Sequence, residues 1–88
     1  MSRHKFPASI MYKIFEVLVS NGCVMKEVDL FESLYEDFNI SYSEFLKTLL
    51  ILELRGLIKV STAKEGIRYV SISEISREQF ELKEECPE

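Results

Sequence analysis

Residues 41–60 read S-Y-S-E-F-L-K-T-L-L-I-L-E-L-R-G-L-I-K-V and decide the fold, because they run a capped helix directly into a strand. Ser41 and Glu44 have the spacing of a capping box, in which each side chain satisfies a free backbone N–H at the start of a helix. Gly56 stands where a left-handed residue ends a helix, and Leu57 can supply the apolar contact that accompanies such an end. The stretch therefore predicts a helix between Ser41 and Gly56.

The residues before this stretch predict two further helices. Apolar side chains recur at helical spacing over residues 10–18, and Asn21-Gly22 ends that pattern. A second helical pattern covers residues 30–38 and ends near Asn39, a residue type that tolerates left-handed backbone. Between the two patterns, the short apolar piece at residues 23–25 is a candidate minor strand that pairs with a later hairpin.

After Gly56 the apolar pattern changes from helical to alternating. Residues 57–62 and 67–72 are rich in β-branched side chains and are separated by Ala63-Lys64-Glu65-Gly66. This spacing predicts a hairpin with a four-residue loop, in which Gly66 takes a positive φ.

The C-terminal segment, residues 74–88, is rich in glutamate. Ser76 and Gln79 form a candidate capping box for a short fourth helix, while the polar end around Pro87 predicts disorder in the last few residues. We therefore expect a basic tail over residues 1–6, one folded domain over residues 7–73, and this acidic segment.

Composition limits the kind of protein. A chain of 88 residues, 47% of them hydrophobic, fits one small domain, and it has no apolar run long enough to cross a bilayer. We expect a soluble intracellular protein, cytoplasmic or, in a eukaryote, nuclear. Cys23 and Cys86 have neither metal-ligand spacing nor the density of a disulfide framework, so we expect a buried thiol and a tail thiol rather than a bridge.

The order of helix, short strand, helix, tight turn, helix and hairpin resembles the winged helix-turn-helix superfamily over residues 7–72. The closest likeness is residues 33–60, S-L-Y-E-D-F-N-I-S-Y-S-E-F-L-K-T-L-L-I-L-E-L-R-G-L-I-K-V, with the superfamily's turn between helices two and three and its G-L-I ending. The resemblance implies an α+β fold, a three-helix bundle with a C-terminal β-hairpin wing. It is compatible with transcriptional regulators, with parts of transcription or replication machinery, and with protein-interaction modules.

In the DNA-binding proteins that the chain resembles, the third helix lies in the major groove. At about 100° per residue, one side of this helix is expected to close over the other helices and carries Phe45, Thr48, Leu49 and Leu52. The opposite flank carries Ser43, Leu46, Lys47, Leu50 and Leu54, with Glu44 and Ile51 at its edge. With one lysine and no Asn or Gln, that flank supplies little for base readout or phosphate neutralisation.

Three leucines on this flank, Leu46, Leu50 and Leu54, would each forgo about 1.5 to 3 kcal/mol if left in water. The sequence leaves three candidates for what covers these leucines. They are the C-terminal segment with Ile75, Phe80 and Leu82, a second copy or another protein, and DNA. The leading hypothesis is an interaction module that self-associates or docks into a larger assembly through this flank. The resemblance implies that such an assembly is transcription-related or otherwise handles nucleic acid. Its candidate interface residues are Leu46, Leu50, Ile51 and Leu54.

The alternative hypothesis is a dimeric DNA-binding transcriptional regulator, in which the wing and the N-terminal tail contact phosphates. Its candidate DNA contacts are Arg3, Lys5, Ser43, Lys47, Lys59, Lys64 and Arg68. The net charge of −4 weighs against this hypothesis, because DNA affinity depends on cations.

Catalysis has little support in the sequence. The single histidine, His4, falls in the predicted tail, where it has no fixed partners. No glycine-rich phosphate loop and no His/Cys cluster for zinc is present in the sequence. We expect no enzymatic activity, cofactor, metal or small-molecule substrate.

Overall fold

The computed structural model describes residues 8–86, which form four α-helices and a three-stranded antiparallel sheet. In chain order the elements are α1 (Ala8–Ser20), β1 (Val24–Lys26), α2 (Glu27–Phe38), α3 (Tyr42–Leu54), β2 (Ile58–Thr62), a 3-10 turn (Lys64–Gly66), β3 (Arg68–Ile72) and α4 (Glu74–Gln79). The predicted order is confirmed, including the minor strand. The predicted basic tail lies outside the described residues. Among the helices in the described range, none is long and apolar enough to cross a bilayer.

The core lies between the three long helices and one face of the sheet. Its fully buried side chains come from α1, α2, α3 and the strands; the largest are Ile14, Leu18, Leu30, Leu34, Phe45, Leu49, Leu52 and Ile72. The inward face predicted for the third helix is confirmed, since Phe45, Thr48, Leu49 and Leu52 are its four buried residues.

Both predicted ends of α3 are confirmed. The Ser41 hydroxyl accepts from the Glu44 N–H at 3.1 Å, and the Glu44 carboxylate accepts from the Ser41 N–H at 3.2 Å. At the other end, Gly56 has φ +78°, and the Leu57 N–H donates to the Leu52 carbonyl at 3.0 Å. These contacts fix where α3 starts and stops relative to the hairpin.

The hairpin of β2 and β3, which we call the wing, joins β1 in the strand order β1-β3-β2. Its register pairs Lys59 with Ser71 and Val60 with Val70. Because side chains alternate along a strand, Val60 and Val70 face the core while Lys59 and Ser71 face away from it. Gly66 has the predicted positive φ, and Glu65 before it is also left-handed at +64°.

The predicted cap of the fourth helix is wrong. Ser73, not Ser76, is the N-cap: its hydroxyl accepts from the Ser76 N–H at 3.1 Å. Ser76 lies one turn into the helix, is buried, and donates its hydroxyl to the Leu57 carbonyl at 2.8 Å. Ser73 follows β3 directly in extended backbone, which is the conformation that an N-cap needs.

The expectation of two free thiols is also wrong, because Cys23 and Cys86 form a disulfide with their Cα atoms 5.3 Å apart. A left-handed residue after α4, Glu81 with φ +55°, turns the chain back on itself. The Leu82 N–H then donates to the Arg77 carbonyl at 2.9 Å, and this turn brings Cys86 to the start of β1. The predicted terminal disorder therefore does not include Cys86; Pro87 and Glu88 lie outside the described residues.

Candidate macromolecule-binding surface on the third helix and the wing

The solvent side of α3 is the surface on which both functional hypotheses depend. Ser43, Glu44, Lys47, Leu50 and Leu54 are all exposed there, as predicted. Ser43 and Lys47 lie one turn apart, as do Leu50 and Leu54, so each pair shares a patch of the helix surface.

Exposed leucines dominate the second half of this side. Leu50 is 54% exposed and Leu54 is 77% exposed. Leu46 is half-buried against the core, and Ile51 is half-buried as well. Of the four predicted interface residues, two therefore present most of their side chains to solvent; we call Leu46, Leu50 and Leu54 the leucine flank.

The C-terminal segment was one of the three predicted covers of the leucine flank, but it does not cover it. Phe80 instead packs edge-to-face on Phe15 of α1, with 6.1 Å between the ring centroids. Leu82 packs against the core, while Ile75 stays exposed. The disulfide to Cys23 and the contact of Phe80 with Phe15 hold the end of this segment against α1 and the turn that follows it.

A groove of about 310 Å³ separates the leucine flank from the wing. Leu46, Leu49, Leu50 and Val60 form the apolar part of its walls. One end is polar because Glu27, Tyr42 and Arg68 meet there, and Glu53 also lines the groove.

At that polar end, Glu27 joins the start of α2 to the start of α3 and the wing. Its carboxylate accepts from the Tyr42 hydroxyl at 2.9 Å and from the Arg68 Nε at 3.0 Å, while Arg68 Nη2 also lies 3.0 Å away. Glu27 is 3% exposed, so its charge depends on these partners in place of water. The hydrogen bond to Glu27, together with burial and the nearby negative charge, raises the pKa of Tyr42 above its usual value.

The sequence pattern does not single out Glu27, and it places Arg68 among the candidate DNA contacts. The ion pair engages the Arg68 guanidinium and neutralises its charge, so Arg68 is a poor phosphate contact in this arrangement. A signal for the pair existed in the strand register. Lys26 pairs with Tyr69, which brings the next residue, Glu27, beside Arg68.

The remaining candidate cations lie at separate places. Lys47 is on the exposed side of α3, and Lys64 is in the wing loop. Lys59 is on the face of the wing that points away from the core, opposite to Val60. Within residues 8–86, none of these three lysines forms an ion pair. Arg3 and Lys5 lie outside the described residues. The structure therefore does not bring the described candidate cations together into one basic patch.

The Tyr42–Glu27 bond gives a prediction about pH. Because the folded-state pKa of Tyr42 is raised, the bond contributes fully below about pH 10 and is lost as pH rises through the folded-state pKa. We expect Tyr42→Phe, which keeps the ring contacts, to cost about 1 kcal/mol at pH 7, since the site is partly exposed. In denaturant titrations, the difference in free energy of unfolding between Tyr42→Phe and wild type should shrink above about pH 10. If this difference in free energy stays constant as the pH rises past about 10, the hydrogen bond from Tyr42 to Glu27 does not contribute to stability.

Comparison with known proteins identifies the fold. A solved structure titled "F93 from STIV, a winged-helix DNA-binding protein" matches with a TM-score of 0.72, over 88% of this chain and 85% of that chain. This chain has the winged-helix fold. The sequence identity is 23%, so the likeness to this winged-helix structure extends to the fold alone. No protein-family model matches the sequence, and neither does any curated protein.

Proposed function

We propose that this chain is a non-enzymatic winged-helix module that binds another protein, or a second copy of itself, through the solvent side of α3. The observation that carries the proposal is the exposure of Leu50 and Leu54, 54% and 77%, on adjacent turns. Burying a leucine side chain contributes about 1.5 to 3 kcal/mol, and an interface gains most from apolar residues at its centre. The neighbouring groove extends the apolar surface to Val60 of the wing.

Charge on this side of α3 also favours a protein partner. Lys47 is accompanied by two exposed acidic residues of the same helix, Glu44 and Glu53. The arginine of the wing, Arg68, is neutralised by Glu27. A duplex-binding surface gains affinity from each cation that replaces a counterion on a phosphate, and this surface offers few.

Duplex DNA is the second candidate partner, in a dimeric transcriptional regulator. It is supported by the matching structure, whose title calls that protein a winged-helix DNA-binding protein. It is also supported by Lys47 and Lys64, which form no ion pair within residues 8–86 and can therefore meet phosphates. Arg3 and Lys5 would add to such a contact.

Two matched double variants separate these candidates. Leu50→Gln with Leu54→Gln removes the apolar flank without changing net charge, and Lys47→Gln with Lys64→Gln removes two charges without touching the leucines. All four side chains are exposed, so both variants should fold. We expect the leucine variant to lose wild-type self-association, or to lose a protein that co-purifies with the wild type from source cells. The lysine variant should keep either complex.

The measurement is sedimentation equilibrium of each variant, alone and with random duplex DNA at about 50 mM salt, followed by co-purification. A salt-sensitive duplex complex that survives the leucine changes and weakens with the lysine changes would favour the DNA candidate. A leucine variant that keeps every wild-type complex would contradict the proposal.

A further inference from the structure

The outer strand of the wing, β2, has a free backbone edge. The strand order β1-β3-β2 leaves one side of β2 without a neighbouring strand. Just before β2, the Ser73 N–H donates to the Leu57 carbonyl, which makes these two residues a hydrogen-bonded pair of the ladder. Bonded and non-bonded pairs alternate along an antiparallel ladder. The residues of β2 whose N–H and C=O groups point away from β3, towards the free edge, are therefore Ile58, Val60 and Thr62.

This edge is regular and largely unprotected. The five residues of β2 pair with β3 without a bulge, and none of them is proline. Within the described residues, no hydrogen bond outside the sheet reaches the edge groups. The opposite edge of the sheet, β1, is only three residues long and runs directly into α2. A regular, unpaired edge is a template for another strand, so β2 is the edge at which a strand can be added.

The sequence of β2 suits pairing with its own copy. When two copies pair antiparallel with Val60 on the two-fold axis, Ile58 lies opposite Thr62 of the second copy. The three edge residues of each strand then exchange their N–H and C=O groups. On the face away from the core, Lys59 lies opposite Ser61 of the second copy, so no like charges oppose one another.

The charges beyond the two ends of this pairing are complementary. Antiparallel pairing puts the wing loop of each copy beside the end of α3 of the other copy. The loop carries exposed Lys64 and Glu65, while the end of α3 carries exposed Glu53 and Arg55. Each cation therefore has a carboxylate of the other copy beside it, which favours this orientation of the two chains.

The leucine flank lies beside the same edge. Val60 is part of one wall of the groove described above, and Leu46 and Leu50 line the groove from α3. A strand added to β2 lies along this groove, so its core-side residues cover Leu50. Backbone bonds along a five-residue edge give only a small interface, and the groove adds the apolar area that a dimer needs.

From the free edge, its match with itself and the groove beside it, we propose that two copies of this chain join through β2. The two three-stranded sheets become one continuous antiparallel sheet with Val60 at its centre. This inference rests on the proposed function, because it names a second copy as the partner at the solvent side of α3 and adds β2 to that surface. The edge groups select an extended strand, and the complementarity of β2 with itself selects the second copy.

The first test is sedimentation equilibrium of the full-length oxidised chain and of Thr62→Pro. Proline removes the N–H that Thr62 directs outwards, and an edge strand tolerates proline at such a position because no bond to β3 is lost. We expect the wild type to dimerise and Thr62→Pro to dimerise about tenfold or more weakly, with an unchanged far-UV circular dichroism spectrum. A monomeric wild type, or a folded Thr62→Pro that dimerises as well as the wild type, would overturn the proposal.

Lys26→Pro is the matched control for the proline change. Lys26 occupies an outward position on the opposite edge of the sheet, and its φ of −65° is one that proline adopts. This variant should dimerise like the wild type. If it weakens the dimer as much as Thr62→Pro does, the dimer does not depend on the β2 edge and the proposal is wrong.

Cysteine cross-linking tests the register and does not depend on the proline variants. Val60→Cys puts two thiols on the two-fold axis, where the Cα atoms of a bonded antiparallel pair are about 5.5 Å apart and within reach of a disulfide. Ser61→Cys is the control: Ser61 is more exposed than Val60, but it faces Lys59 of the second copy, and the two Ser61 positions are too far apart to bridge. After oxidation with oxidised glutathione, intact mass spectrometry should show a covalent dimer for Val60→Cys only. Equal cross-linking of both variants would overturn the proposal.

The leucine variant separates this inference from the proposed function. If Leu50→Gln with Leu54→Gln loses the wild-type dimer but Thr62→Pro keeps it, α3 binds the second copy without the edge, and only the edge pairing is wrong. If the wild type is monomeric and the leucine changes release a co-purifying protein, the proposed function stands and the second copy is the wrong partner. If neither set of changes affects any complex, both proposals are wrong.

Discussion

Arg68→Ala is expected to lower the free energy of unfolding by about 3 kcal/mol, although Arg68 lies on the wing and its side chain is 47% exposed. The reason lies with its partner. Glu27 is buried, and without the guanidinium the Tyr42 hydroxyl is the only partner that the described residues 8–86 leave to its carboxylate. This loss in free energy is at the lower end of the range for a broken buried ion pair, because the space left by Arg68 opens to water.

A double-mutant cycle isolates this effect. In a Glu27→Gln background the buried group is neutral, so Arg68→Ala should cost less than about 1 kcal/mol. The measurement is urea denaturation of the four proteins followed by far-UV circular dichroism. An equal cost of Arg68→Ala in both backgrounds would mean that the ion pair does not stabilise the wing.

Loss of the disulfide is expected to have the largest effect on stability. Cys23 and Cys86 are 63 positions apart, and cross-linking a loop of that length restricts the unfolded chain enough to stabilise the fold by about 4 kcal/mol. We expect the oxidised chain to unfold at much higher denaturant concentration than the reduced chain. Because a small domain has about 5 to 15 kcal/mol in all, the reduced protein should be only marginally stable.

The control is the double variant Cys23→Ala with Cys86→Ala, which should resemble the reduced wild type and ignore added reductant. Mass spectrometry of the intact wild type, before and after reduction, reports whether the bridge is present. If the bridge is present and reduction leaves the denaturation midpoint unchanged, the expected contribution is wrong.

Features that depend on neighbours along the chain were predictable from the sequence. The capping box at Ser41, the left-handed residues Asn39 and Gly56, and the buried face of α3 are all set by spacings of a few residues. The cap of α4 is the exception. Two serines three positions apart both suit the role, and only the end of β3 decides in favour of Ser73.

Features that depend on tertiary register were not predictable in the same way. The ion pair of Glu27 joins residues 41 positions apart and needs the pairing of β1 with β3 before the two groups meet. The leucine flank and α1 both offer apolar surface, so the sequence did not decide between them as the place where Phe80 packs. The disulfide was missed because the sparse cysteines argued against it, whereas the turn after α4 decides the distance between them.

The position of the disulfide also determines how the molecule would carry a mechanical load. A force applied between Ala8 and Cys86 would run along α1 to Cys23 and then cross the bridge directly to Cys86. Residues 24–85, with α2, α3 and the wing, form a closed covalent loop beside that path and would bear no tension through the backbone. The pulling force would therefore act directly on α1 and not on α3 or the wing. Unravelling α1 would nevertheless remove Ile14 and Leu18 from the core, so α3 and the wing would then depend on the rest of the core to stay folded.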